Sequence, residues 1–214
     1  GTHRGGMAVC QNGHFDKAIH NIENAPFRTK FEEDVRDMEG NLGIGSISDS
    51  EPQPLIVRAH FGNFVLATVG RVNNAEEILH KNLKNRRSHF MEMSTGDVNS
   101  TELVASVIAA QETLLEGIKT AQQLIEGSMT MLIMTTQGIY AARNKMGRTP
   151  LVIGQGEDGY AVSMENFAYQ NLGYKDVYEL GPQEIVFVTP ESFETQEPAG
   201  SQMKICAFLW TYYG

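Results

Sequence analysis

Three kinds of residue in this 214-residue chain could carry covalent, metal or phosphate chemistry, and each has to be weighed against its neighbours. Cys10 and Cys206 are the two thiols. A catalytic thiol needs a cationic neighbour that holds it as thiolate. Cys10 instead ends the apolar run Met7-Ala-Val-Cys10, and Cys206 lies in Ile205-Cys-Ala-Phe-Leu-Trp210, so both read as small core residues. His3, His14, His20, His60, His80 and His89 show no His-x-x-x-His pairing and no adjacent cysteine, so no metal site and no cofactor is expected. Gly154-Gln-Gly-Glu-Asp-Gly159 satisfies the pattern G-x-G-x-x-G. That pattern binds pyrophosphate only where it opens a helix. Here it runs into the strand-like Tyr160-Ala-Val-Ser163 and contains two acids, which predicts a hairpin turn. No G-x-S-x-G nucleophile elbow is present. Standard single-motif chemistry is therefore not what this chain offers.

The elements that would position any site alternate in type along the chain. Met7–Cys10, Gly43–Ile47, Leu55–His60 and Asn63–Val69 read as strands, with turns at Gln11-Asn-Gly13 and Phe61-Gly-Asn63. Ala75–Lys84 reads as a helix with Ile78, Leu79 and Leu83 on one stripe. Asn99 followed by Glu102 is a capping-box-like start for a helix over Thr101–Lys119, whose apolar face is Leu103, Val107, Ile108, Leu114, Leu115 and Ile118. Met129–Thr135 is nearly all apolar, the pattern of a strand covered on both faces, with Met129, Met131 and Met134 as gap-filling core. Ile139–Ala142, Leu151–Ile153, Tyr160–Ser163 and Glu184–Val188 follow as strands, and Glu191–Gln202 reads as a mobile loop. Strands, then helices, then strands predict helical layers on stacked, mainly antiparallel sheets.

Composition narrows the class. With 41% hydrophobic and 20% charged residues the chain can bury a core, and a net charge of −9 argues against nucleic acid as partner. The basic run Lys81, Lys84, Arg86, Arg87 then reads as a solvated helix end. No apolar run is long enough to span a membrane, and the N-terminus has no signal pattern. Two cysteines make no disulfide framework, which points to the reducing cytoplasm. Asn99-Ser-Thr101 reads as an accidental sequon. Gly1-Thr2 and Trp210-Thr-Tyr-Tyr-Gly214 read as the cut ends of one domain spanning residues 1–214 of a longer chain.

Several segments together resemble one family. Gly43-Ile-Gly45 with the following Ser48-Asp-Ser-Glu51 is similar to GIG-x-x-RYST, Pro52-Gln-Pro-Leu55 to NAQP, and Leu66-Ala-Thr-Val-Gly-Arg-Val-Asn-Asn74 to LAHNGN. Thr2-His-Arg-Gly-Gly-Met-Ala-Val9 resembles HRGQ-x-x-AGIAV, and Ala141-Ala-Arg-Asn-Lys-Met-Gly-Arg-Thr-Pro-Leu151 resembles AARDPxGxRPL. Ser163-Met-Glu165, Leu180-Gly-Pro-Gln-Glu-Ile-Val186 and the segment after Ile205 add further matches, so the resemblance covers nearly the whole chain. The family is the glutaminase domain of glutamine phosphoribosylpyrophosphate amidotransferase. It implies an α+β fold, a four-layer α/β/β/α sandwich of N-terminal-nucleophile hydrolase type. It also implies a processed N-terminal Cys that attacks glutamine, with backbone and Asn donors for the oxyanion. The released ammonia would pass to a C-terminal phosphoribosyltransferase-like domain of the same parent chain, which is the partner implied here. A second copy of the parent protein, in a homo-oligomer, is the other candidate partner.

At the chemical positions the residues differ from the family pattern. Arg4, Gly5 and Gly70 stay in pattern, whereas Ser48 stands for the Arg that holds glutamine's α-carboxylate and Asp49 for the neighbouring Tyr. Val69 stands for the oxyanion Asn, Arg71 follows Gly70, and Ser100 stands for the Asp that holds the α-amino group. One oxyanion donor is worth about 2.7–4 kcal/mol, and a charged contact to a carboxylate about 1.5–3 kcal/mol. The expectation is a domain with a degenerate glutamine pocket, no catalytic residue of its own, and a structural or regulatory role, with Asp49 and Arg71 paired across the pocket. Two alternatives are an active glutaminase whose Cys precedes Gly1, and a sensor of another small ligand.

Overall fold

The computed structural model describes residues 3–49, 51–84, 93–94, 97–204, 207 and 211. In chain order its elements are β1 (Arg4–Gln11), β2 (His14–Asn21), α1 (Phe27–Lys30), α2 (Glu32–Asp37), β3 (Leu42–Ser48), β4 (Leu55–Ala59), β5 (Gly62–Val72) and α3 (Ala75–Lys84). There follow β6 (Met93–Ser94), β7 (Asp97–Val98), α4 (Ser100–Ala109), α5 (Leu114–Leu124), β8 (Gly127–Met134), β9 (Ile139–Ala142), β10 (Val152–Gln155) and β11 (Tyr160–Ser163). The described elements end with α6 (Phe167–Gln170), β12 (Lys175–Glu179), β13 (Ile185–Val188) and β14 (Phe193–Glu197).

One six-stranded sheet, in the order β14-β13-β9-β8-β5-β4, forms the centre. Two three-stranded sheets, β2-β1-β3 and β11-β10-β12, stack on one of its faces, and every described strand pair is antiparallel. Period-two alternation assigns the faces. Phe64 and Leu66 of β5, with Met129, Met131 and Ile133 of β8, pack under α3, α4 and α5. Val65 and Ala67, with Met134, pack against Ala8, Cys10 and Ile44 of the β2-β1-β3 sheet. Ala141, Val186 and Val188 pack against Ile153 of β10 and the adjoining Leu151 and Leu180. β5 and β8 are thus covered on both sides, which is why β8 reads as a continuous apolar run. Short helices make the fourth layer. Phe27 and Phe31 stack at 4.1 Å over β1, and Tyr169 of α6 lies over Gly154 of β10. The result is the α+β, four-layer sandwich that the sequence implied.

Two expectations need correction, and several elements went unpredicted. The helix predicted over Thr101–Lys119 is two helices, broken between Ala109 and Leu114. Thr113 caps the second, its Oγ1 accepting from Glu116 N at 3.2 Å. Gly117 lets α5 fold back on α4, since a Cβ there would meet Ile108 O at 2.7 Å. Both halves bury their apolar sides in one cluster, so the periodicity runs through the break. Glu191–Gln202 contains the edge strand β14, paired with β13, whose polar composition is that of a strand with little to bury. Beyond it, Gly200 N bonds to Pro182 O and Lys204 N to Met146 O, tying the tail down. Finally, β2, α1, α2, α6 and β12 were not visible in the sequence; β12 is exposed along its whole length and has no apolar signal. Arg86, Arg87 and Cys206 lie outside the described residues. No described helix is long and apolar enough to cross a membrane.

Candidate functional site

β1 and β3 bring the first group of expected site residues together. Arg4 faces Ser48 across the ladder and Gly5 faces Ile47. Asp49 follows β3, and its Oδ1 lies 3.7 Å from His3 Nδ1. Arg71 is exposed on β5 and forms no ion pair with Asp49, so the expected charge pair across the pocket is absent. The ladder geometry explains this. Arg71 pairs with Ser128 of β8 in the central sheet, whereas Asp49 lies just past the end of the outer strand β3.

Parity along β5 separates Thr68 from Val69. Thr68 takes the helix-facing side of Phe64 and Leu66, and Val69 takes the inter-sheet side of Val65 and Ala67. β4 begins its pairing at Leu55↔Leu66, so the N–H of Thr68 has no strand partner there. The buried Gln53 fills the vacancy, its Oε1 accepting from Thr68 N at 2.7 Å. On the helix side Thr68 Oγ1 and Thr101 Oγ1 lie 2.7 Å apart. Thr101 Oγ1 donates to Glu51 Oε2 at 2.7 Å, so the proton between the threonines comes from Thr68.

Glu51 is the hub. Its carboxylate also accepts from Ser100 N at 2.6 Å and from Thr101 N at 3.1 Å, the first-turn donors of α4. A carboxylate at a helix N-terminus satisfies orphan N–H groups and opposes the positive end of the helix dipole. Asn99 caps the same turn as expected, its Oδ1 accepting from Glu102 N at 3.0 Å. The Ser48 hydroxyl donates to the backbone carbonyl of Glu51. Ser48, Glu51, Ser100, Thr101, Thr68 and Gln53 therefore form one chain of hydrogen bonds behind the position of Val69. Glu51, Gln53 and Thr101 were not singled out from sequence. The available signal was an acid followed by two prolines, Glu51-Pro-Gln-Pro54, whose acid has no local partner.

Gly70 shows why the family pattern keeps glycine. Its φ is +141°, and a Cβ would lie 1.6 Å from Ser128 O, so only glycine fits between β5 and β8. In front of Val69 is a cavity of about 270 Å³. Gly45, Ser46 and Ile47 of β3 line it, as do Ala67 to Val69 of β5, Thr130 and Leu132 of β8, Leu151, and Val162 to Glu165. Among the described lining residues the only charged one is Glu165.

Other family-patterned residues hold the scaffold. Arg143, 3% exposed, donates from Nε to Thr149 O at 2.9 Å, from Nη2 to Gly147 O at 2.8 Å, and from Nη1 to Glu179 at 3.0 Å and to Leu180 O. Glu184 accepts from Gly181 N and Tyr178 OH, both at 2.6 Å, and that phenol's pKa is raised chiefly by this bond. Burial, then the Asp176 hydrogen bond, raises Tyr169, while bonding from Asn166 lowers Asp176. Burial alone raises Tyr140. None of these four groups lines the cavity.

Comparison with known proteins identifies the family. The family described as glutamine amidotransferase domain matches residues 41–168. The amidophosphoribosyltransferase of Methanocaldococcus jannaschii is 28% identical over 180 residues, covering 79% of this chain and 38% of that protein. The Escherichia coli amidophosphoribosyltransferase is 26% identical over 203 residues, covering 82% and 39%. The solved glutamine phosphoribosylpyrophosphate amidotransferase of B. subtilis, complexed with ADP and GMP, superposes with a TM-score of 0.85 at 23% identity, covering 100% of this chain and 47% of that one. The chain spans about two fifths of the length of the curated relatives it matches. It belongs to the glutamine amidotransferase domain family, in the class II form that amidophosphoribosyltransferases carry.

Proposed function

We propose that this domain has lost glutamine hydrolysis and serves as a structural or regulatory partner to a phosphoribosyltransferase-like domain of the same parent protein in the cytoplasm. The observation that carries the reading is the charge of the cavity beside Val69. Its described wall offers Glu165 and no cation, whereas glutamine presents a carboxylate that needs one. Polar groups at two of the replaced positions are also engaged within the protein. The Ser48 hydroxyl bonds to Glu51 O, and the Ser100 N–H is held by the Glu51 carboxylate. Val69 supplies no side-chain donor to an oxyanion, and one such donor is worth about 2.7–4 kcal/mol. In this reading Glu51 occupies the end of α4 with the protein's own carboxylate, and the transferase domain draws on free ammonia.

Isothermal titration with glutamine at millimolar concentration, together with an assay of glutamate release, tests the reading. No heat of binding and no glutamate above buffer are expected. The variant Ser48→Arg with Val69→Asn should gain measurable glutamine affinity. The full-length parent protein should form phosphoribosylamine from ammonia and not from glutamine. Saturable glutamine binding by the unaltered chain, or glutamine-dependent product from the parent, would overturn the reading in favour of an active glutaminase.

A further inference from the structure

The open end of the β1–β2 hairpin carries a histidine on each strand. His20 faces Gly5 in the ladder, and just beyond it Ile22 N donates to His3 O at 2.9 Å. His20 Nε2 lies 2.7 Å from Asp34 Oδ2, and its ring meets that of Phe31 edge-on at 4.6 Å. His3 lies between two acids from different segments. Its Nε2 is 3.6 Å from Glu23 Oε1 and its Nδ1 is 3.7 Å from Asp49 Oδ1. Glu23 precedes α1, Asp34 belongs to α2, and Asp49 lies between β3 and Glu51. Residues 23–37 thus form a strap across the hairpin, fastened at its start by His3 and near its end by His20. The strap's helices cannot hold themselves. α1 and α2 have four and six residues and no side-chain cap, far short of the length at which a helix stands alone. Buried Phe31 supplies the apolar anchor and the two histidines supply polar ones.

We propose that His3 and His20 make this strap a proton-operated clamp, which tightens on acidification and, through Asp49, steadies the stretch from Ser48 to Glu51. Histidine is the side chain whose charge ordinarily changes between about pH 5 and 8. The His20 and Asp34 side chains are 37% and 26% exposed, so the ring still exchanges protons with solvent. A neutral His20 gives Asp34 an ordinary hydrogen bond, and a charged one makes the same bond between two ions, about twice as strong. A neutral imidazole has one N–H, so His3 can donate toward one of its acids at most; the charged ring presents an N–H to each. Period two puts His14 and Asp16 of β2 on the face of His20. Gly5, Met7 and Val9 of β1, and Gly43, Gly45 and Ile47 of β3, bring no charge to that face. α1 brings Arg28 and Lys30, and α2 brings Glu32, Glu33, Arg36 and Asp37, of which Arg36 pairs with Glu32 at 2.8 Å. The closed strap favours the charged rings, so it is tight on the acid side of the histidine range and looser above it. The inference is independent of whether glutamine is hydrolysed.

Backbone hydrogen exchange in the full-length parent protein, at about pH 5.5 and about pH 8 and corrected for the intrinsic rate, is the test. Opening of residues 27–37 should be about fivefold rarer at the lower pH, the factor that separates a hydrogen bond to a charged group from a neutral one. Residues 48–51 should respond in the same direction, and α4 should not respond. His20→Gln keeps a donor for Asp34 and cannot charge, so it should fix residues 27–37 at their high-pH opening throughout. His3→Gln should do the same for residues 48–51. Asp34→Asn and Asp49→Asn remove the acids with little change of shape and should abolish the same two responses. Opening that is independent of pH, or that rises on acidification, would overturn the proposal. So would a pH response that survives in the His3→Gln, His20→Gln double variant, or an equal response in α4, which would mark a general change in stability.

Discussion

Removing the Glu51 carboxylate is the sharpest test of how the pocket region is held. Three donors converge on it: Ser100 N at 2.6 Å, Thr101 N at 3.1 Å and Thr101 Oγ1 at 2.7 Å. In Glu51→Ala, Asn99 still caps Glu102 N, so α4 keeps its start and loses only these contacts. Loss of a capping side chain costs about 0.5–2 kcal/mol, and loss of hydrogen bonds to a charged group about 1.5–3 kcal/mol. The two overlap here, which gives a total of about 3 kcal/mol. For a domain of this size each kcal/mol shifts Tm by about 2–4 °C, so a fall of about 6–12 °C is expected by scanning calorimetry. Glu51→Gln should fall between wild type and Glu51→Ala, because one carboxylate oxygen becomes an amide donor facing other donors. Thr101→Val removes the same hydroxyl contact from the other side, so the double variant should cost less than the sum of the singles. A Tm change under about 2 °C for Glu51→Ala, against that calibration, would refute the hub. Strict additivity with Thr101→Val would refute its wiring.

Three further outcomes are expected. Gly70→Ala should cost more than about 3 kcal/mol in urea unfolding, from strain and from collision with Ser128 O, while Gly45→Ala, with Gly6 O at an ordinary 3.6 Å, should cost under about 1 kcal/mol. Stability should decline as pH rises above 10, because an unfolded phenol ionises there while burial and Asp176 keep the folded Tyr169 protonated. The unfolded state then binds fewer protons than the folded one, and Tyr169→Phe should flatten that decline in denaturation series at alkaline pH. Cys10, buried on β1, should react slowly with a thiol reagent in native protein and rapidly in denaturant; fast native labelling of Cys10 would contradict its core placement.

The sequence was legible where one residue type has one physical use. Asn12 and Gly13 take positive φ in the β1–β2 turn, and Gly156 N bonds to Gly159 O in the hairpin predicted for the glycine-rich loop. The doubly covered β8 was visible because apolar residues fill both faces. Helix α3 matched Ala75–Lys84 because its stripe ends where the polar residues begin. Failures came where a residue's partner is distant in sequence. Glu51 bonds to residues 49 and 50 positions away, so nothing local marked it as a cap. The resemblance brought Ser48, Asp49, Val69 and Ser100 into one expected pocket. It could not reveal that Ser48 and Ser100 are joined through Glu51, or that Arg71 lies in the central sheet while Asp49 follows a strand of an outer one.

The order of strands in the central sheet also governs how the chain can reach this fold. β4 and β5 form a local hairpin, as do β8 and β9, and each can form early from near neighbours. Joining the two hairpins means zipping β5 to β8 from Val72↔Gly127 to Val65↔Met134, across an intervening stretch that holds α3, α4 and α5. Closing so long a loop carries an entropic cost before any contact rewards it. The β5–β8 seam is thus expected to be the slowest contact to form, and Thr68, Val69 and Gly70 all lie along it. Substitutions at these three positions bear on the rate at which the domain is acquired as well as on what its cavity binds.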